Sequence, residues 1–230
     1  MRHPPVSSHP YPVNLDLVGR SALVVGAGAV AARKVHGLLA AGARVTVVAP
    51  EAVPELAEAN DDGRIRWHQR TYRRGEVASY RLAVAATDDV GVNGQVYWDA
   101  EAAGVWLNAA DDPERCSFTL PAVVRRDDLQ VAVSTNGRSP AVAAWLRRNL
   151  EATIGPEHAA LLALAAEVRE DLRAEAGTTE TPDWEVALDD DLLDLLRSGD
   201  VDGARLRLRR ALGLPELEPE LEPKLEGASS

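Results

Sequence analysis

Apolar and polar positions in the first half of this chain repeat at two alternating periods. Arg20 to Gly26 is an apolar run that reads as a buried strand; from Ala29 to Ala41, Ala31, Val35, Leu38 and Leu39 recur at helical spacing, and Gly42 follows as a stop. Arg44 to Ala49 reads as a second strand, Val53 to Ala59 as a short helix, Arg64 to Thr71 as a third strand and Leu82 to Ala86 as a fourth. A helix follows with Val92, Val96, Ala100 and Ala103 on one face, then a strand over Val105 to Asn108. Strands alternating with helices predict an α/β fold, a parallel sheet covered on both faces.

The rhythm changes after Asn108. SFTLPAVVRRDDLQVAVST predicts two short strands around a charged turn, and Ser139 as N-cap with Pro140 at the first helical position starts a helix. Further helices are expected over Glu157 to Ala176, Leu188 to Leu196 and Asp202 to Leu212. The stripe Leu161, Leu162, Leu164, Ala165, Val168 reads as helix packing or a dimer seam. The expected organisation is a loose leader over 1–12, a nucleotide-binding sheet over 13–112, a small α+β region over 113–153, a helical region over 154–214 and an acidic, Pro-spaced disordered tail over 215–230.

Charge and composition narrow the function classes. The formal charge is −11, which opposes nucleic acid, and no run approaches the roughly 18 apolar residues of a membrane span. From Thr181 to Ser230 there are 13 acidic and 6 basic residues, a net of −7, so most of the imbalance lies at the C-terminal end. The leader has no apolar stretch after Arg2 and Cys116 is the single cysteine, so a cytoplasmic protein is expected. His3, His9, His36, His68 and His158 are not spaced as a metal pair, so no resident metal is expected.

The richest local pattern is Gly26, Gly28 and Ala31, a G-x-G-x-x-A between a strand and a helix. In a dinucleotide site the first glycine permits a tight turn, the second admits the pyrophosphate to backbone N–H groups, and the helix N-terminus offers partial positive charge. Taken alone, the same residues serve equally as a plain strand-to-helix turn. The place of the ribose carboxylate holds Ala49 and Pro50 with Glu51 just beyond; Glu51 favours NAD over NADP, a preference that Arg44, nearby in sequence, weakens.

The blocks GAGAVAARKVHGLLAAGARVTVVAP, AATDDVGVN, NAADDPERCSFTLPAVV, LQVAVSTNGRSP and LRRNLE, in that order, resemble the precorrin-2 dehydrogenase and sirohydrochlorin ferrochelatase family, the N-terminal module of siroheme synthases. The resemblance covers about Val13 to Leu150 and implies a Rossmann domain, a dimerisation region and a helical C-terminal region acting as a homodimer. It implies NAD-dependent oxidation of precorrin-2 to sirohydrochlorin, and in some members insertion of Fe²⁺ as a substrate to give siroheme.

By the same resemblance Ala29, Val30, Pro50 and Glu51 fall on cofactor contacts, and Asp111 on the catalytic aspartate. Without it, Asp111 reads as a turn former before Asp112-Pro113. Thr87 and Asn108 are cofactor candidates because ligands collect at the carboxyl ends of parallel strands. Thr135, Asn136, Gly137, Arg138 and Ser139 are expected to meet the polycarboxylate tetrapyrrole, with Asn136-Gly137 standing where the family usually has a small-residue pair; Arg147 and Arg148 read as surface charges. Cys116, with no partner identifiable, reads as a small packed residue. Two other readings stay open: a chelatase-only homologue, and an NAD-sensing module whose Asp183–Leu214 segment binds a partner.

Overall fold

The protein is described here from a computed structural model over residues 10–176 and 184–215. The expected acidic tail lies outside these residues apart from Pro215, as does most of the expected leader. The chain divides into two units, Met1–Leu120 with Ser134–Ser139, and Pro121–Val133 with Pro140–Ser230.

The first unit runs β1 (Ser21–Val25), α1 (Ala29–Ala40), β2 (Arg44–Ala49), α2 (Pro54–Asp61), β3 (Arg66–Gln69), a 3₁₀ turn (Glu76–Ser79), β4 (Leu82–Ala85), α3 (Val90–Ala103) and β5 (Trp106–Ala109). All pairings are parallel in the order β3-β2-β1-β4-β5, with Ser21 opposite Arg44, Ala22 opposite Leu82 and Leu82 opposite Trp106. This is the Rossmann-type α/β architecture, and the chain reverses direction across the sheet between β1 and β4.

Both faces of the sheet are buried, which is why β1 reads as a continuous apolar run rather than an alternation. Ala22, Val24, Val45, Val47 and Val84 pack with Ala31, Val35, Leu56 and Ala59 of α1 and α2, while Leu23, Val25, Val48, Ala83 and Ala85 pack with Val77, Val96 and Ala100. The observed strands depart from the expected bounds by one or two residues at several ends, and the late starts of β3 and β5 have local reasons. The third strand starts at Arg66 because the N–H groups of Arg64 and Ile65 still donate to Ala59 O at the end of α2. The fifth starts at Trp106 because Val105 N–H donates to Ala100 O, closing α3 through Gly104 at φ 66°.

The residues 113–120, expected with the following region, cluster with the sheet unit. Ser117 N–H donates to Leu107 O at 2.8 Å and Phe118 packs on the core.

The second unit holds an antiparallel hairpin, β6 (Ala122–Arg126) and β7 (Leu129–Val133), turned by Asp127 at φ 49°. Helices α4 (Pro140–Thr153), α5 (Pro156–Ala176), α6 (Trp184–Ala187), α7 (Asp190–Ser198) and α8 (Val201–Ala211) follow. α7 begins at Asp190, not Leu188, because the Asp189 carboxylate caps it by accepting from Leu192 N–H at 2.9 Å. Leu164, Val168 and Leu172 of α5 pack with Leu192, Leu196 and Leu208 of α7 and α8. Among the described residues no helix is long and apolar enough to cross a membrane.

Candidate active site

Parallel strands deliver their carboxyl ends to one edge, so Gly26–Val30, Pro50–Glu51 and Thr87 follow β1, β2 and β4 there, joined by Asn108 near the end of β5 and by Asp111 just beyond it. The two glycines of the turn do different work. Gly26 has φ 106° and a Cβ there would stand 2.2 Å from Ala86 O, so the turn presses against the backbone leaving β4. Gly28 has ordinary φ −81°, and a Cβ there would meet no protein atom within 4 Å. Gly28 precedes α1, whose first turn has no side-chain cap and no acidic residue, so its free N–H groups and positive dipole end are uncompensated. Ala29 is exposed, Val30 half-buried and Ala31 fully buried, the last letting α1 lie close on the sheet. Pro50 and Glu51 are exposed beyond β2.

The loop after β4 is fixed by a network that the sequence reading missed. Asn93 Oδ1 accepts from Thr87 Oγ1 at 3.0 Å, Asn93 Nδ2 donates to Thr87 O at 2.8 Å, and Asp89 Oδ1 caps α3 by accepting from Gly91 N–H at 2.8 Å. An Asp directly before an apolar helical run was a signal available for the cap.

β5 ends on a clasp. Leu107 N–H donates to Ser117 Oγ at 2.6 Å, and Ala109 N–H donates to Cys116 Sγ at 3.2 Å. The Cys116 thiol faces Ala109 O at 3.2 Å and Asp112 O at 3.3 Å as acceptors. Burial pushes this thiol above its ordinary pKa, the Ala109 hydrogen bond opposing and the Asp112 charge adding to the rise. Asn108 is buried and its Nδ2 donates to Phe118 O at 3.1 Å, so that side chain is engaged within the protein. Between the arms of the clasp lies Asp111, exposed and held at φ 60°, a left-handed backbone uncommon outside glycine.

The Ser134–Ser139 segment is a tight turn. Thr135 Oγ1 donates to Ser139 O at 3.1 Å and accepts from Ser139 N–H at 3.3 Å, with Asn136 at φ 53° and Gly137 at φ 73°. Asn136 therefore meets the left-handed geometry in place of a smaller residue, and Arg138 is exposed. Among the described residues no group of three His, Cys, Asp or Glu side chains is placed to hold a metal ion.

Residues 13–122 match the family model described as "Putative NAD(P)-binding", and residues 126–153 match "Sirohaem biosynthesis protein central". A siroheme synthase of Chromobacterium violaceum is 37% identical over 220 residues, covering 95% of this chain and 47% of that protein. One of Thioalkalivibrio sulfidiphilus is 39% identical over 222 residues, covering 95% of this chain and 45% of that protein. The chain thus spans less than half the length of these relatives. The solved structure of SirC, precorrin-2 dehydrogenase, has TM-score 0.63 at 27% identity, covering 89% of this chain and 98% of that one.

Proposed function

We propose that this chain, which belongs to the siroheme-biosynthesis protein family, oxidises precorrin-2 to sirohydrochlorin with NAD as oxidant. The observation that carries the reading is the pairing, on one sheet edge, of an uncapped helix N-terminus behind Gly28 with an exposed carboxylate, Asp111, held in a left-handed turn. The likeness to a precorrin-2 dehydrogenase structure along nearly its whole length supports the choice of substrate.

The turn residues fit a dinucleotide. The space at Gly28 and the free N–H groups of Ala29 and Val30 suit a pyrophosphate, and Glu51 beyond β2 suits ribose hydroxyls, which selects NAD over NADP. NAD when bound supplies the hydride acceptor. Oxidation also releases a proton, and Asp111 is the group that takes it; being exposed, it passes the proton to water. Thr87 and Asn108, held by internal hydrogen bonds to Asn93 and Phe118, stand on the same edge as further cofactor candidates, and the Thr135–Ser139 turn offers Arg138 to the tetrapyrrole carboxylates.

The name of the relatives, siroheme synthase, favours a second reaction, insertion of Fe²⁺ as substrate into the product, with Asp111 receiving pyrrole protons. A homodimer in the cytoplasm is the expected form. The hairpin β6–β7 has no further strand among the described residues, and Trp145 and Val142 on α4 are 54% and 47% exposed, which suits a second copy.

The test is incubation of the protein with precorrin-2 and NAD while NADH and sirohydrochlorin are followed, then addition of Fe²⁺ against the spontaneous rate. Asp111→Ala is expected to abolish NADH formation with the fold and NAD affinity intact. Undiminished turnover in that variant sinks the assignment. NAD binding without turnover in the unaltered protein selects the sensing module, and metal insertion without NAD binding selects the chelatase-only reading.

A further inference from the structure

The opposite edge of the sheet, where the strands begin, carries a feature the dehydrogenase reading does not use. The β3 to β4 connection is a loop with one 3₁₀ turn, Glu76–Ser79, in place of a crossover helix. The starts of β1, β2 and β3 on that face are therefore left open, and a hollow of ≈ 530 Å³ lies there, lined by Ser21, Arg44, Thr46, Arg64, Arg66 and Tyr80 among others.

Register explains the gathering of charge. Ser21 stands opposite Arg44 and Thr46 opposite Arg66, so Arg44 and Arg66, two residues apart in register, share one face on neighbouring strands about 4.8 Å apart. Both are exposed, and among the described residues neither has an ion-pair or hydrogen-bond partner for its guanidinium. Arg64 is held by Asp62 at 3.3 Å, beside the C-terminus of α2, where a cation suits the helix dipole. That ordinary explanation is used up by Arg64 and leaves the other two. Unpaired arginines converging on one concave surface, in a chain of formal charge −11, are an arrangement that self-repulsion opposes and an anion relieves.

We propose that this hollow binds a small polyanion carrying phosphate or carboxylate groups, by bidentate contacts from Arg44 and Arg66 with the Thr46 hydroxyl between them. Both anion types present the oxygen pairs that a guanidinium fork grips. The site is separate from the glycine turn, at the other end of the same strands, and does not rest on the dehydrogenase reading.

Calorimetric titration of the full chain with inorganic pyrophosphate and, separately, tricarballylate tests this and distinguishes the two anion classes. At least one probe is expected to bind, with affinity that falls as salt rises, and Arg44→Gln with Arg66→Gln should weaken it at least tenfold. A paired Arg20→Gln, Arg81→Gln control should leave it unchanged. Circular dichroism checks the fold; if the double variant is unfolded, Arg66→Gln alone, on the edge strand, carries the same expectation at reduced size. The proposal is overturned if neither probe binds, if the control variants lose as much as the test pair, or if binding ignores Arg44 and Arg66 and is displaced by NAD, which would locate the probe at the glycine turn.

Discussion

The Cys116 sulfur lies 3.2 Å from both the amide nitrogen and the carbonyl oxygen of Ala109, so one thiol serves the outer edge of β5 as acceptor and donor and closes the loop that bears Asp111. Replacing Cys116 by Ala leaves a buried amide without its partner, and stability should fall by about 1–3 kcal/mol. Cys116→Ser keeps a donor and an acceptor and should recover much of that. On the proposed mechanism kcat falls in the Ala variant and the NAD dissociation constant does not move; urea denaturation, steady-state turnover and NAD titration of the two variants check it.

Asp111 gives a sharper separation of stability from activity. An L-residue in left-handed geometry costs about 1 kcal/mol that glycine does not pay in the same way. Asp111→Gly should therefore match or exceed the unaltered protein in urea midpoint while losing turnover. Asp111→Val, with a branched Cβ at φ 60°, should lose about 1–2 kcal/mol. A glycine variant that is both less stable and fully active would contradict both halves.

Those contacts mark the limit of what the sequence carries. The Ala22–Val25 run, the α1 stripe of Ala31 and Val35, and the glycine turn are legible because each is set by neighbours within a few residues. The start of β5 is not, since Gly104 decides where α3 lets go. Asp111 has no periodic signature and was singled out through a family resemblance. Its backbone is set by Cys116 and Ser117, which bond back to Ala109 and Leu107 across seven and ten residues. Topology puts Thr87 just past β4 and Asn108 near the end of β5, but their engagement with Asn93 and Phe118 depends on packing that no local pattern encodes. The expected elements already pass from the third strand to the fourth without a helix, yet no hydrophobic period shows that this leaves Arg44 and Arg66 uncovered.

Acid should expose a weak point in that same connection. Burial acts to raise the Glu76 pKa, but the bidentate hydrogen bonds from Arg70, at 2.9 and 2.7 Å, and the Arg73 N–H outweigh it and hold the carboxyl below its ordinary value. A carboxyl depressed in the folded state contributes stability that is complete above its unfolded pKa, about 4.3, and is lost as pH falls through the folded value. Glu76→Gln should lower stability by about 1–2 kcal/mol near neutral pH and flatten the acid limb below about pH 4. Urea midpoints of both proteins between pH 3 and 7 check it, and parallel curves over that range would show that Glu76 is not the group responsible.

The two glycines of the turn should part company under substitution. At Gly26 an added methyl meets Ala86 O at 2.2 Å and Ala86 C at 2.6 Å, both backbone, with φ at 106°. Neither atom can yield without opening the β1–β4 pairing, so Gly26→Ala should cost at least about 2 kcal/mol through strain and clash. At Gly28 φ is −81° and nothing lies within 4 Å, so Gly28→Ala should leave stability within about 0.5 kcal/mol of the unaltered protein. The methyl would nevertheless stand over the free N–H groups of α1, where the proposed pyrophosphate approaches, and NAD affinity should fall at least tenfold. Thermal melts with and without NAD measure both effects together: Gly26→Ala lowers the melt of the free protein, whereas Gly28→Ala leaves it in place and loses the upward shift that NAD confers. Retention of that shift in Gly28→Ala would remove the dinucleotide from the turn and return Gly28 to the role of a simple connector.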